Sequence, residues 1–196
     1  SGICGWNYGK ILNCQNEASI TSDGQASGIT GHNNGYIASC FNTGVITGKY
    51  AGGIVAGTGK AEGDDIVIVN PSIGGWDDTT GGSSSDSGSG STGEEEKLVP
   101  VSLSQYGIYY CYNTGAVTAS EDQAGGIASW STGSKGTIYG CYNTGDVKGG
   151  SHTGGITGSA ESALVRDCYN YSTNISTTNV ATGLSYNVPQ AFAAPI

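Results

Sequence analysis

Isoleucine or valine returns along this chain at near-constant distances, each time set between glycines and small polar residues. One anchor is a small residue, a glycine and then an aliphatic: Ile3, Ile29, Ile54, Ile127 and Ile156, with Leu184 as a sixth, fading copy. A second anchor is Cys-x-Asn. It pairs Cys14, Cys40, Cys111, Cys141 and Cys168 with Asn16, Asn42, Asn113, Asn143 and Asn170. From each aliphatic anchor to the next cysteine the steps are 11, 11, 57, 14 and 12. From each cysteine to the next anchor they are 15, 14, 16, 15 and 16. Apart from one insertion of 57 − 11 = 46 residues, the chain is five units of about 25–30 residues, the period of a solenoid.

Each unit offers three short extended segments, as in "GGIASW" (125–130), "GTIYGCYN" (136–143) and "GDVKG" (145–149). None is long enough to stand alone. Stacked on its copy in the next unit, each becomes a rung of a parallel sheet, with strands about 4.8 Å apart. The pattern predicts an all-β, three-sided parallel β-solenoid of about five turns, right-handed by the rule for parallel crossovers. Its interior would be three ladders: Ile3/Ile29/Ile54/Ile127/Ile156, Ile11/Ile37/Ile108/Ile138/Val165 and Ile20/Ile46/Val117/Val147/Ile175. Residues 1–58 carry the first two turns and the start of the third, 107–183 the rest, and 59–106 a long insertion. The C-terminal 184–196 reads as a cap or linker.

Within a coil, cysteine is a small hydrophobe that fits a tight corner on every rung. Asparagine two positions on shares its side of the strand, and its amide can bond the amides above and below. The glycine of "NTG" is expected to supply a positive-φ turn. The residue between Cys and Asn points outward, so Phe41, Tyr112, Tyr142 and Tyr169 form an external aromatic stripe, with Gln15 in the same place in the first unit. The aliphatic three positions before each cysteine breaks strict alternation, which predicts a bend or bulge between them. Cys4 follows Ile3 directly and is expected to point outward.

The repeats "CFNTGVITGKYAGGIVAG" (40–57), "CYNTGAVTASEDQAGGIAS" (111–129) and "CYNTGDVKGGSHTGGITG" (141–158) resemble the GLUG motif. That motif recurs in large bacterial surface proteins, in regions beside IgA-cleaving metallopeptidases and in adhesin-like proteins. The first and last units depart from it, since "CQNEA" and "CYNYS" lose the Thr-Gly. The resemblance implies an extracellular, structure-forming repeat and carries no catalytic residues.

Composition agrees with short strands and tight turns: 35 glycines, no methionine, and 12% charged residues in 196. The formal charge of −9 argues against nucleic acid and against docking on anionic membranes. Nine acidic and two basic residues lie in 59–106, so −7 of the −9 is concentrated there. Within the insertion, 66–70 and 97–104 read as two strands of a flap around a low-complexity loop. No stretch is long and apolar enough to span a bilayer. The chain starts inside a repeat and reads as a piece of a longer protein.

Candidate chemistry is sparse. His32 and His152 lie beside glycine or serine and read as surface turn residues, without the H-E-x-x-H cluster of a zinc peptidase. No cysteine spacing suits zinc, and no cofactor is implied. Ladder cysteines come close enough to pair, but their parallel side chains suit a disulfide poorly, so stacked free thiols are preferred. Asp64, Asp65, Asp77 and Asp78 are weak calcium candidates, read first as solvated acid. Asp146 and Asp167, in neighbouring units, are the only carboxylates offered for a glycosidase or lyase, with Lys148 and Arg166 as nearby bases. The preferred function is adhesion, display or a structural stalk, with glycans or host surface proteins as partners through the aromatic stripe. Alternatives are a filament subunit stacking head to tail through open solenoid ends, and a carbohydrate-active enzyme.

Overall fold

The structure is a computed structural model that describes residues 1–59, 106–179 and 184–187. The chain divides into two compact units, Ser1–Ile66 with Ser104–Ile196, and Val67–Leu103. The second unit, both expected strands of the insertion and the end of the tail lie outside the described residues.

The described residues form a parallel β-solenoid whose coils feed five sheets. The first sheet stacks Cys4–Asn7, Thr30–Asn33, Val55–Gly59, Ala128–Thr132 and Thr157–Glu161. The second stacks Lys10–Leu12, Tyr36–Ala38, Gly107–Tyr109, Ile138–Tyr139 and Val165–Arg166. The third stacks the five Cys-x-Asn strands: Gln15–Asn16, Phe41–Asn42, Tyr112–Asn113, Tyr142–Asn143 and Tyr169–Asn170. The fourth holds Ile20–Thr21, Ile46–Gly48, Val117–Ala119, Val147–Gly149 and Ile175–Asn179, and the fifth Gln25–Ser27, Tyr50–Gly52, Gln123–Gly125 and His152–Gly154. Among the described residues the fifth coil adds no strand to this last sheet, so they make four complete turns and a partial one, against the five expected. Leu184–Asn187 then pairs antiparallel with Ile175–Asn179 and closes the fourth sheet at that end.

All three predicted ladders are present in register. Ile108, for example, pairs with Ile37 on one side and Ile138 on the other, and Val117 sits between Ile46 and Val147. The isoleucines of the middle coils are fully buried. Burying each contributes roughly 1.5–3 kcal/mol, and each does so only through the coils above and below it.

Each unit's three extended segments are cut into five strands by two bends. At the aliphatic anchor, one carbonyl accepts two consecutive N–H groups from the preceding coil. Ile54 and Val55 both donate to Ile127 O, at 3.0 and 2.9 Å, and Ile3 and Cys4 both donate to Ile29 O. The chain turns there, so the anchor and the residue after it both face inward. Val55 and Ala128 are fully buried in this second column. Cys4 heads the same column and packs against the core, contrary to the outward orientation expected from alternation.

The second bend is the irregularity predicted before each cysteine. It is a single residue of left-handed backbone, repeated on every coil: Asn13, Ser39, Tyr110, Gly140 and Asp167, with φ between 52° and 62°. This one residue resets the alternation, so that the second-sheet aliphatic and the cysteine three positions later both point inward.

The glycines of "NTG" play a different part from the one expected. Gly44, Gly115 and Gly145 do not have positive φ. Close approach excludes a side chain instead: a Cβ would lie 2.0 Å from Ala18 O at Gly44, 2.0 Å from Gly44 O at Gly115 and 2.1 Å from Gly115 O at Gly145. His32 and His152 also lie on strands, not turns.

Candidate functional site

The repeated Cys-x-Asn strand builds a polar ladder that runs through all five coils. Each asparagine Nδ2 donates to Oδ1 of the asparagine in the next coil: Asn16 to Asn42 at 2.7 Å, Asn42 to Asn113 at 2.8 Å, Asn113 to Asn143 at 2.8 Å and Asn143 to Asn170 at 3.0 Å. The same Nδ2 groups of the first four coils also donate, at 2.8 Å, to the carbonyl two residues on, in Ala18, Gly44, Gly115 and Gly145. A buried amide therefore has its donors satisfied without water, which burial demands. The cysteines form the parallel file. Each thiol donates to the carbonyl two residues back, and the backbone N–H groups of Cys14, Cys40 and Cys111 reach the sulfur of the next cysteine at 3.4 Å.

All six cysteines are free thiols. Burial, with the adjoining thiols, pushes Cys141 well above its ordinary value, and the thiol of Cys111 together with burial raises Cys40. At Cys40 and Cys141 this favours the protonated, packed thiol, the opposite of an activated nucleophile. A second polar ladder, Asn7 Nδ2 to Asn33 Oδ1 at 2.7 Å and Asn33 Nδ2 to Thr58 Oγ1 at 3.3 Å, joins successive coils at the end of the first sheet.

On the outside, the aromatic stripe is a true stack. Phe41 and Tyr112 lie 4.8 Å apart and 2° from parallel, and Tyr112 and Tyr142 4.9 Å apart at 5°. Tyr169 instead pairs with Tyr171 at 6.4 Å. The stacked rings cover one another's faces and offer edges and hydroxyl groups outward.

A second aromatic column lies on the outer face of the first sheet, in the register Trp6, His32, Gly57, Trp130, Ser159. Trp6 is 62% exposed, stacks with Tyr8 at 6.3 Å and lies 4.6 Å from the His32 ring. Trp130 lies flat over Gly57, where a Cβ would come within 2.2 Å of the indole. Burial lowers the His32 pKa, against a hydrogen bond with Asn34, and favours the neutral ring. Sequence reasoning passed over this column, although each member stands three residues after an aliphatic anchor.

Asp122, Ser151 and His152 form the one Ser/His/Asp cluster among the described residues. Ser151 Oγ and Asp122 Oδ1 both meet the same ring nitrogen, His152 Nδ1, at 2.8 and 2.9 Å, and Ser151 also bonds Asp122. A hydrolytic triad needs serine and carboxylate on opposite ring nitrogens. This cluster is instead an exposed clasp between successive coils, and the bonds from Ser151 and His152 lower the Asp122 pKa.

Asp146 and Asp167 stand in different columns, the first aligned with Ala116 before the fourth sheet and the second at the left-handed bend, paired with Arg166 at 3.3 Å. The Cys-x-Asn strand separates the two columns along the coil, and the structure does not align them as a facing pair. Asp64, Asp65, Asp77 and Asp78 lie outside the described residues. Among those described, no group of three or more His, Cys, Asp or Glu is placed to share a metal, and no helix is long and apolar enough to cross a membrane. No protein-family model, curated protein or solved structure matches the chain.

Proposed function

We propose that this chain is a non-catalytic region of an extracellular bacterial surface protein, serving as a rigid stalk that displays contact surfaces for adhesion. One observation carries the reading: the residues that recur from unit to unit are consumed by the stack itself. The cysteines, asparagines, close-packed glycines and aliphatic anchors face inward or bond the next coil. The outward positions are less constant: one column on the first sheet runs Trp6, His32, Gly57, Trp130 and Ser159, and Gln15 begins the column that continues as Phe41, Tyr112, Tyr142 and Tyr169. Such a sequence specifies a rod and leaves its surface free to differ, which suits display better than a single reaction centre. The likeness of the repeat to the GLUG motif supports the same setting.

The contact surfaces this reading favours are the two aromatic columns, with glycans or host surface proteins as partners. Among the described residues Trp6 and Tyr8 present the most accessible rings, and flat aromatic faces suit the apolar face of a pyranose ring. Binding to a glycan array and to host-cell surface proteins tests it. Wild-type protein is expected to bind, with loss on Trp6→Ala or Tyr142→Ala at unchanged circular dichroism. Cleavage of a polysaccharide, abolished by changing one carboxylate such as Asp146 or Asp167, would replace it with the enzymatic reading.

A further inference from the structure

His32 stands in the aromatic column of the first sheet, between Trp6 of the coil before and Gly57 of the coil after. Gly57 brings no side chain. The Trp6 indole roofs the imidazole, with ring centroids 4.6 Å apart and planes tilted by 38°. The other ring that holds the indole is Tyr8, stacked at 6.3 Å.

The imidazole is half-buried, and the strands around it offer no counter-charge. Apart from His32 itself, no acid, lysine, arginine or histidine stands on Thr30–Asn33, Cys4–Asn7, Gln25–Ser27, Val55–Gly59 or Ala128–Thr132. The other titratable groups near the column are the Cys4 thiol, which packs against the core, and the Tyr8 phenol on the indole. Burial pushes the His32 pKa down, and the Asn34 side chain pushes it up. Asn34 Oδ1 is itself buried and receives no hydrogen bond of ordinary geometry. An acceptor therefore waits beside a ring whose burial favours the neutral form.

We propose that the Trp6 indole is a lid on His32 that lifts when the imidazole takes up a proton, so that the aromatic surface of the first sheet is assembled at neutral pH and taken apart in acid. A half-buried imidazolium without a counter-charge is drawn towards water. Its strand cannot follow, because the backbone is laddered to Cys4–Asn7 on one side and Val55–Gly59 on the other. The ring can: it gives an N–H to Asn34 Oδ1 and gains water on the face that the indole leaves. The attraction of an indole face for a cation opposes the lift, and the two effects shift the titration of His32 in opposite directions. Linkage makes the coupling reciprocal: if the proton opens the lid, removing the lid eases protonation by the same factor. The motion needs no ligand. Only its consequence, a contact surface lost in acid, rests on the adhesive reading.

Proton NMR of the 196-residue chain across a pH series tests it. The ring resonances of His32 are assigned with His32→Gln and those of Trp6 with Trp6→Ala. The His32 midpoint is expected to lie below that of an unhindered histidine. Trp6→Ala is expected to raise it by several tenths of a pH unit, and Asn34→Ala to lower it. Cross-relaxation between the Trp6 and His32 rings, which reports their contact, is expected above the midpoint and to be lost below it. A Trp6→Ala midpoint that stays or falls, an Asn34→Ala midpoint that does not fall, or ring contact kept in acid would overturn the proposal. No binding partner enters the measurement, so its failure would leave the adhesive reading standing.

Discussion

Asn113 shows how much one side chain does in this fold. It is fully buried, donates to Asn143 Oδ1 and Gly115 O, and accepts from Asn42. Asn113→Ala removes three bonds, strands the donor of Asn42 and the acceptor of Asn143, and leaves a small void. We expect it to cost about 2–4 kcal/mol, read as a lower midpoint in urea unfolding. This role was legible in the sequence, because asparagine recurs two positions after cysteine and burial leaves its amide only other amides to bond. The left-handed residue before each cysteine was not legible. Asn13, Ser39, Tyr110, Gly140 and Asp167 share no chemistry that announces the conformation, and only asparagine, aspartate and glycine adopt it readily. The stack imposes it: an inward aliphatic and an inward cysteine three positions apart require one reversal of alternation.

At the scale of a strand, the glycines separate two mechanisms that look alike in a sequence. A glycine after a turn signal fits positive φ and close approach equally well, and only the neighbouring coil decides. Gly115 has Gly44 O within 2.0 Å of where a Cβ would stand, so Gly115→Ala must push two coils apart. Gly5, on the outermost strand of the first sheet, has nothing within 4 Å of its Cβ position. We expect Gly115→Ala to destabilise by at least about 2 kcal/mol and Gly5→Ala to be nearly neutral, by thermal or urea unfolding. Equal effects would show that coil spacing is not what selects glycine. The aliphatic registers were readable because each strand repeats its partner's pattern. The division of three segments into five strands was not, since the corner at each anchor depends on two N–H groups sharing one carbonyl of the next coil.

At the scale of the molecule, the insertion leaves and re-enters at a single corner. Thr58 pairs with Asn33, and Gly107 with Tyr36. Gly59 and Tyr106 therefore occupy the places that Asn34 and Gly35 fill in the coil before. Deleting 60–105 joins them directly and restores the two-residue link. The shortened chain is expected to keep the β-sheet circular dichroism and a melting temperature within a few degrees; collapse of the fold would show that the excursion is needed to hold the third coil. The excursion also has a kinetic cost. Asn42 must find Asn113 across 71 residues, whereas the other neighbours in the ladder are 26, 30 and 27 apart. The longer loop adds only roughly 1 kcal/mol of closure entropy. Yet the same five letters stand at 111–115 and at 141–145, so the strand at 41–42 meets two nearly equivalent mates. Refolding should divide at this seam, with some chains skipping a rung and waiting in a misregistered trap until it reopens.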